Sequence, residues 1–565
     1  MKTLKVFTIA FVVCFSAFAQ WSTNPAENTP VCVYSELQNE SCMINDGSGN
    51  VIIGWRDTRN EPVLGGDIYV QKLNTGTGNP QWTVDGKKIN VQNGVQLNLD
   101  MCADGSGGAL LVWQVNYGVF GNYDLFAQHI NANGDLLWSS GELAISQELR
   151  EQENPRIVSD GSGGAIIVWD DNRNIIGKRE VFAQRVDASG NILWNAGGKL
   201  ISSVPAVPGS IRIISDNDGG AILVWADTRT GIDENIYCQR IDGNGNKLWN
   251  SNDIELCNAV GNQSLPQLIS DGNQGAFFVW GDNRNGFGTS DIYAQYVNAQ
   301  GVIQWDTNGK VICDTLSVQS YPQIISDSQG GAIIVWDSEI VVNDRDIYAQ
   351  RINSLGNTIW LENGVQVTDI DGNQTFPVIA SDGLGGAIIT WIDFQTTLGD
   401  LAARRIDDSG NIIWSTYISA TAGGVDDPQT VPDGLGGAII CWTDMRQTPQ
   451  WDIYAQNVDH NGSLGTITFV GENNSKLVSF KLFQNYPNPF NPSTKISWQA
   501  PVSGWQTIKL FDLLGKEIET IVDGYYEAGN HSTLYIVNST SPSGVYFYQL
   551  KAGEFIQTKK MIYLK

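Results

Sequence analysis

One stretch governs what this chain can fold into: Gly163-Gly164-Ala165-Ile166-Ile167-Val168-Trp169-Asp170-Asp171-Asn172-Arg173, which follows the turn Ser159-Asp160-Gly161-Ser162 and recurs, lightly altered, eight times. The Trp of the successive copies is Trp55, Trp113, Trp169, Trp225, Trp280, Trp336, Trp391 and Trp442, at spacings of 58, 56, 56, 55, 56, 55 and 51 residues. So regular a period assigns one supersecondary unit to each copy, and neighbouring units must bury one another's apolar faces.

Repeat 3 lays out the unit. Pro155–Ser159 reads as a short first strand, and Asp160-Gly161-Ser162-Gly163 as a turn in which Asp160 accepts backbone N–H bonds. Gly164–Trp169 is so continuously apolar that both faces must be buried. Glu180–Val186 alternates as a third strand, and after Ala188-Ser189-Gly190 the stretch Asn191–Trp194 reads as the fourth. Four short strands with Gly-rich turns and no room for a helix describe a propeller blade.

Ring closure follows from a residue displaced along the chain. The fourth-strand Trp recurs as Trp82, Trp138, Trp194, Trp249, Trp305, Trp360 and Trp414, but repeat 8 ends at Gly462-Ser463-Leu464 without one. Near the N-terminus, Trp21 precedes Val31-Cys32-Val33 much as Trp305 precedes Val311-Ile312-Cys313. The expected fold class is therefore all-β: an eight-bladed β-propeller over residues 20–466 whose last blade borrows the N-terminal strand, followed by an Ig-like β-sandwich. An open array would leave apolar faces bare at both ends.

Residues 1–19 have the pattern of a signal peptide: Lys2 and Lys5, an apolar run Val6–Phe18, and Ala17-Phe18-Ala19 before Gln20. No later stretch is apolar enough for a transmembrane segment, so the reading is a soluble exported protein. Its 34 basic against 60 acidic residues give a net charge of -26, which argues against nucleic acid as a partner. Cys32, Cys42, Cys102, Cys238, Cys257, Cys313 and Cys441 mostly stand where sister repeats carry Ala, Val or Ile, and read as buried hydrophobes; Cys32–Cys42 is the first pair to check for a disulfide.

Asp57, Asp171, Asp227, Asp282 and Asp444 follow the repeat Trp by two residues, and Arg59, Arg173, Arg229, Arg284 and Arg446 follow it by four. One set repeated around a ring reads as structural ties, here between neighbouring blades. The recurring Gln71, Gln128, Gln184, Gln239, Gln295, Gln350 and Gln456 read the same way. Repeats 6 and 7 break the pattern with Asp337-Ser338-Glu339 and with Phe394-Gln395, Ala402 and Arg404, so any specialised sector is expected there.

Three scattered histidines (His129, His460, His531), no His-Glu-x-x-His and no Gly-x-Ser-x-Gly leave no catalytic residues to assign. Asp369-Ile370-Asp371-Gly372-Asn373 and Asp216-Asn217-Asp218-Gly219 are the oxygen-rich runs a calcium ion would need. They lack the loop-closing Glu and read as turns, so no metal or other cofactor is expected.

After Gly471-Glu472-Asn473-Asn474-Ser475 the composition changes: residues 475–565 hold nine Lys and six acidic residues, with strands punctuated by Pro and Gly. A linker is placed at 467–478 and a second domain at 479–565. Tyr486-Pro487-Asn488-Pro489-Phe490-Asn491-Pro492, then Leu510–Gly515 with Lys516, then Ser543-Gly544-Val545-Tyr546-Phe547, and finally Thr558-Lys559-Lys560-Met561 resemble, in order and position, the type A C-terminal sorting domain of type IX secretion. The resemblance implies Sec export, passage through the outer membrane of a Bacteroidetes-like bacterium, and the secretion machinery as partner. It says nothing of the cargo's activity. The expected role is a secreted or cell-surface binding module for glycan or protein, more an interaction protein than an enzyme. The alternatives are an extracellular glycan hydrolase and a structural surface protein. A pocket with paired carboxylates would favour the hydrolase, and an aromatic-lined surface the binding module.

Overall fold

The computed structural model describes residues 21–465 and 480–564, apart from 61–64, 92, 119–121, 139–140, 175–177, 208, 232, 287, 342–343, 396–397, 422, 448–449, 483–484, 486–487, 489, 491–492, 501–503, 514, 527–528, 538–541 and 554. The signal peptide and the linker lie outside the described residues. The chain divides into two compact units, Met1–Ile467 and Thr468–Lys565.

In the first unit the described residues form eight four-stranded antiparallel blades. Blade 1 is Gln38–Asn45, Asn50–Asp57, Asp67–Asn74 and Lys87–Lys88, paired in that order. Blade 8 takes three strands from repeat 8, Val425–Pro432, Ala438–Asp444 and Asp452–Val458, and its outer strand is Thr29–Cys32, with Thr29 opposite Ala455 and Cys32 opposite Ile453. The inner strand of each blade packs against that of the next, and blade 8 against blade 1, so the ring is closed.

Each second strand is buried on both faces, as in Ala165–Asp171, and its Trp is at most 1% exposed in every repeat. The apolar clusters form between blades. The closing one joins Ile439, Cys441, Ile453 and Ala455 of blade 8, with Trp21 and Val31, to Met43, Val51, Ile53 and Trp55 of blade 1.

The fourth strand needs a correction. In blade 3 it is Lys199–Ala206, beyond the Trp, whereas in blade 7 it is Ile412–Ser419 and contains Trp414 as expected. Asn191–Trp194 is only the return of a tight hairpin, joined to the third strand by the bridge Val186–Ile192. The outer strand begins where Gly198, at φ +92°, passes so close to Trp169 that a Cβ would meet the ring at 2.3 Å. The hairpin Trp instead bolts blade to blade. Its indole donates to a carbonyl of the next hairpin: Trp82 to Ala132 at 3.2 Å, Trp249 to Ala299 at 3.1 Å, Trp414 to His460 at 3.0 Å and, across the closure, Trp21 to Thr75 at 2.7 Å.

The second unit is a sandwich of a three-stranded sheet (Lys481–Leu482, Ser493–Ala500, Gly529–Ile536) and a four-stranded one (Glu517–Tyr526, Gly504–Phe511, Gly544–Ala552, Phe555–Tyr563). Trp498, Tyr548, Leu550 and Met561 lie in its core.

Candidate functional site

The residues that recur are structural, though not quite as expected. Asp57, Asp171, Asp227, Asp282 and Asp444 accept the indole N–H of the Trp two residues earlier at 2.8–3.0 Å. Each also pairs with its Arg, as in Arg229–Asp227 and Arg284–Asp282 at 2.6 Å. The guanidinium lies over the third-strand ring, 3.7 Å from Tyr237 and 3.6 Å from Tyr293. It also donates to a carbonyl ahead of the outer strand, Arg59 to Asp85 and Arg284 to Asn308. The Asp–Arg pair lies within one blade, and the guanidinium also carries the expected tie between blades, reaching the outer strand of the preceding one: Arg59 to Cys32 Sγ and Arg173 to Ser146 Oγ at 3.0 Å, and Arg284 to Cys257 Sγ at 3.2 Å.

Further inter-blade ties come from residues outside the recurring motif. The side chain just after the repeat Gln bonds the turn Asp of its own blade: Lys72–Asp46 at 2.7 Å, Arg240–Asp216 at 2.8 Å and Arg351–Asp327 at 2.9 Å. It then reaches into the next blade, Lys72 to Gly107 O and Arg351 to Asp408 O. Asp216 thus serves its own turn and Arg240. In repeat 7, Arg404 donates to Val367 O of blade 6 and lies 5.8 Å from the Trp391 ring of its own blade. All seven described cysteines are free thiols; Cys32 belongs to blade 8 and Cys42 to blade 1.

Concavity is found at the centre of the ring. Residues from the inner strands of all eight blades line a cavity of about 840 Å³ at the channel mouth. The inner strands of seven blades are bulged there, blade 4 has Gly209 just ahead of its regular strand Arg212–Ser215, and one residue per blade takes the left-handed region: Glu40 (φ +53°), Asn98 (+52°), Asn154 (+52°), Gly209 (+73°), Leu265 (+52°), Tyr321 (+52°), Phe376 (+55°) and Asp427 (+49°). For Leu, Tyr and Phe this conformation is costly and persists only where surrounding bonds impose it. The side chain after the repeat Trp helps to do so. Gln114 accepts the Asn154 N–H at 2.9 Å and Asp170 the Gly209 N–H at 2.7 Å, each from the next blade. A bulge also turns its side chain out of the strand's alternation.

The lining is unequal around the ring. Blades 5–7 present Leu265, Tyr321 and Phe376, which are 43%, 40% and 41% exposed, and the last two rings lie 4.7 Å apart at 54°. Trp451 of blade 8 lines the same cavity. Asp426, Asp427, Glu40 and Asp100 bring carboxylates from blades 8, 1 and 2, and Arg156 and Arg212 bring guanidiniums from blades 3 and 4. Burial, aided by neighbouring Asp426, pushes the Asp427 carboxyl up to about 6. The inner-strand residues escaped the motif reading because their identity changes from blade to blade. The one sequence signal was the Pro after the bulge residue in five blades (Pro155, Pro266, Pro322, Pro377 and Pro428).

In the second unit, Asn488 accepts the Ile562 N–H at 2.8 Å, and Phe490 exchanges backbone bonds with Ile562 and Leu564 at 3.0 and 3.1 Å. Phe490, 3% exposed, packs on Tyr563. The motif thus fastens the entering chain to the last strand. Gly515 (φ +78°) makes the Asp512–Lys516 turn, Gly544 pairs with Tyr563, and Lys559 and Lys560 pair with Tyr548 and Phe547. Pro487, Pro489, Asn491 and Pro492 lie outside the described residues.

An export substrate with a propeller cargo is the class that this arrangement defines. Residues 484–564 match the family model described as the secretion system C-terminal sorting domain. The chain accordingly carries a type IX secretion address and belongs to the secreted and cell-surface proteins that use that route. No helix among the described residues is long and apolar enough to cross a membrane. No curated protein matches the chain. Among solved structures it is similar to the polysaccharide lyase Uly1, at 10% identity and a TM-score of 0.42 over 67% of this chain and 94% of that one. It is also similar to an endo-arabinase from Bacteroides thetaiotaomicron, at 13% identity and a TM-score of 0.27 over 70% and 98%. A third is a protein of unknown function from Dyadobacter fermentans, at 11% identity and a TM-score of 0.32 over 56% and 95%.

Proposed function

We propose that this exported propeller is a binding module that holds a saccharide at the mouth of its central channel. The observation that carries the reading is the exposed pair Tyr321 and Phe376, held side by side on strained bulges. Sugar rings present a C–H face that packs on aromatic rings, and their hydroxyls need the kind of polar groups that Asn98, Gln267 and Gln323 bring to the same cavity. Rings fixed by the backbone lose little freedom on binding.

A second reading, glycan hydrolysis, is favoured by one feature: Asp427, held protonated up to about pH 6 beside Asp426, has the character of a proton donor next to a carboxylate. A glycan array run in parallel with product analysis separates the two. Stable binding without release of reducing ends is expected, weakened about tenfold in Tyr321→Ala/Phe376→Ala, since each stacked ring contributes on the order of 0.5–1.5 kcal/mol. Turnover abolished by Asp427→Asn would establish the hydrolase.

A further inference from the structure

The chain pairs most of its guanidiniums with carboxylates. Arg185, Arg240, Arg351 and Arg405 each bond the Asp of a turn, and Arg59, Arg173, Arg229, Arg284 and Arg446 each bond the Asp that follows the repeat Trp. Arg156 and Arg212 depart from this. They stand on the inner strands of adjacent blades, both line the channel cavity, and among the described residues neither forms an ion pair. Their acceptors are main-chain carbonyls reached through Nη1: Pro155 O at 3.2 Å for Arg156, and Gly209 O and Ile211 O at 3.0 and 2.9 Å for Arg212.

Asp100 and Asp170 act on this pair through space, but their hydrogen bonds go to other groups. Asp100 accepts the backbone N–H groups of Met101 and Ile157, both at 3.0 Å, and burial raises it above the ordinary carboxylate range. Asp170 accepts from Gly209 N and Asn154 Nδ2 at 2.7 and 2.8 Å. Two guanidiniums side by side repel, and burial next to Arg156 brings Arg212 down to about 10. Such a pair is stabilised by an anion placed between the two forks. In an eight-membered ring blade 3 stands opposite blade 7, so Arg156 and Phe376 occupy opposite walls of one cavity.

We infer that the ligand of this channel is a saccharide bearing an oxyanion, a uronic carboxylate or a sulfate ester, received by Arg156 and Arg212 while its sugar ring lies on Tyr321 and Phe376. The inference rests on the saccharide-binding reading and adds the ligand's charge. The protein's net charge of -26 repels a polyanion at long range, so recognition is local to the channel.

The test is calorimetric titration of the full chain with polygalacturonate, with a sulfated galactan and with an uncharged galactan of matched length, for the native protein and for Arg156→Gln, Arg212→Gln and Arg212→Lys. Native thermal unfolding serves as the check that each variant is folded. Binding of one anionic polymer, with the uncharged one at least tenfold weaker, is expected; which anionic polymer it is distinguishes carboxylate from sulfate. Each Gln variant loses about tenfold or more, since a charge-assisted bond contributes on the order of 1.5–3 kcal/mol, and Arg212→Lys recovers part of the loss. Equal binding of the uncharged polymer, or full affinity in folded Gln variants, overturns the inference, and loss of that binding in Tyr321→Ala would show that the saccharide reading survives it. No binding of any of the three polymers overturns both. Should both Gln variants fail to fold, the native protein's preference between charged and uncharged polymer decides.

Discussion

Asp170 follows the repeat Trp by one residue and is fully buried, its Oδ2 receiving N–H bonds from Gly209 and Asn154. Burial outweighs those bonds and pushes its carboxyl from an ordinary 3.8 to about 6. Between those two values the folded chain keeps a proton that the unfolded chain has released. By linkage, stability therefore falls as pH rises through this window and levels off above it. The contribution is on the order of 3 kcal/mol, at 1.36 kcal/mol per unit. Asp170→Asn removes this titration, so the melting temperature of the variant relative to the native chain is expected to rise between pH 4 and pH 7. Parallel melting curves for the two proteins across that range would show that Asp170 is not the titrating group. Such residues also separate what a sequence discloses from what it withholds. Asp57 and Arg59 recur because five blades share the same tie, and recurrence makes them visible. The left-handed residue runs Glu40, Asn98, Asn154, Gly209, Leu265, Tyr321, Phe376, Asp427. It repeats as a backbone conformation and not as an amino acid, so the channel site is silent in sequence.

At the scale of elements, the N-terminal strand shows the opposite case. Trp21 stood out because seven sister hairpins carry the Trp that repeat 8 lacks, and closure then follows from the need to cover two apolar faces. In blades 1–6 the fourth strand lies beyond the Trp that marks the hairpin so strongly, and in blade 7 it contains that Trp. The borrowed segment is bound on three sides. Trp21 is 1% exposed and bonds Thr75 of blade 1, Gln456 donates to Ser22 O, and Arg446 donates to Glu27 O and Asn28 Oδ1 at 2.8 Å. Deleting residues 20–36 bares the edge of Asp452–Val458 and the apolar face around Ile439 and Cys441. The deleted chain is expected to melt at least several degrees lower and to aggregate. Trp21→Ala alone should cost about 3–5 kcal/mol, as for other buried large-to-small changes. Equal melting of the deleted and full chains would rule out the shared strand.

At the scale of the whole molecule, the chain divides into two compact units, each with a core of its own. The ring's apolar clusters close on themselves, and the sandwich has a core of its own, Trp498, Tyr548 and Leu550 being at most 1% exposed. The charge changes too, from a strongly acidic ring to a tail with nine Lys against six acidic residues. A unit that buries its own core can be removed without unfolding its neighbour. A chain ending near Gly471 should therefore fold, keep the melting temperature of the ring and retain whatever ligand the channel holds. What it should lose is the outer-membrane step, because the matched sorting domain, residues 484–564, is the part read by the secretion machinery. In a host that possesses that machinery, the shortened protein is expected to collect in the periplasm as folded, soluble ring, while the full chain reaches the surface or the medium. Cell fractionation reports the location, and the intact mass of the exported product reports any cleavage of the tail. Equal surface delivery of the shortened and full chains would mean that the address lies elsewhere. Loss of the ring's melting transition on shortening would mean that the tail is part of the fold.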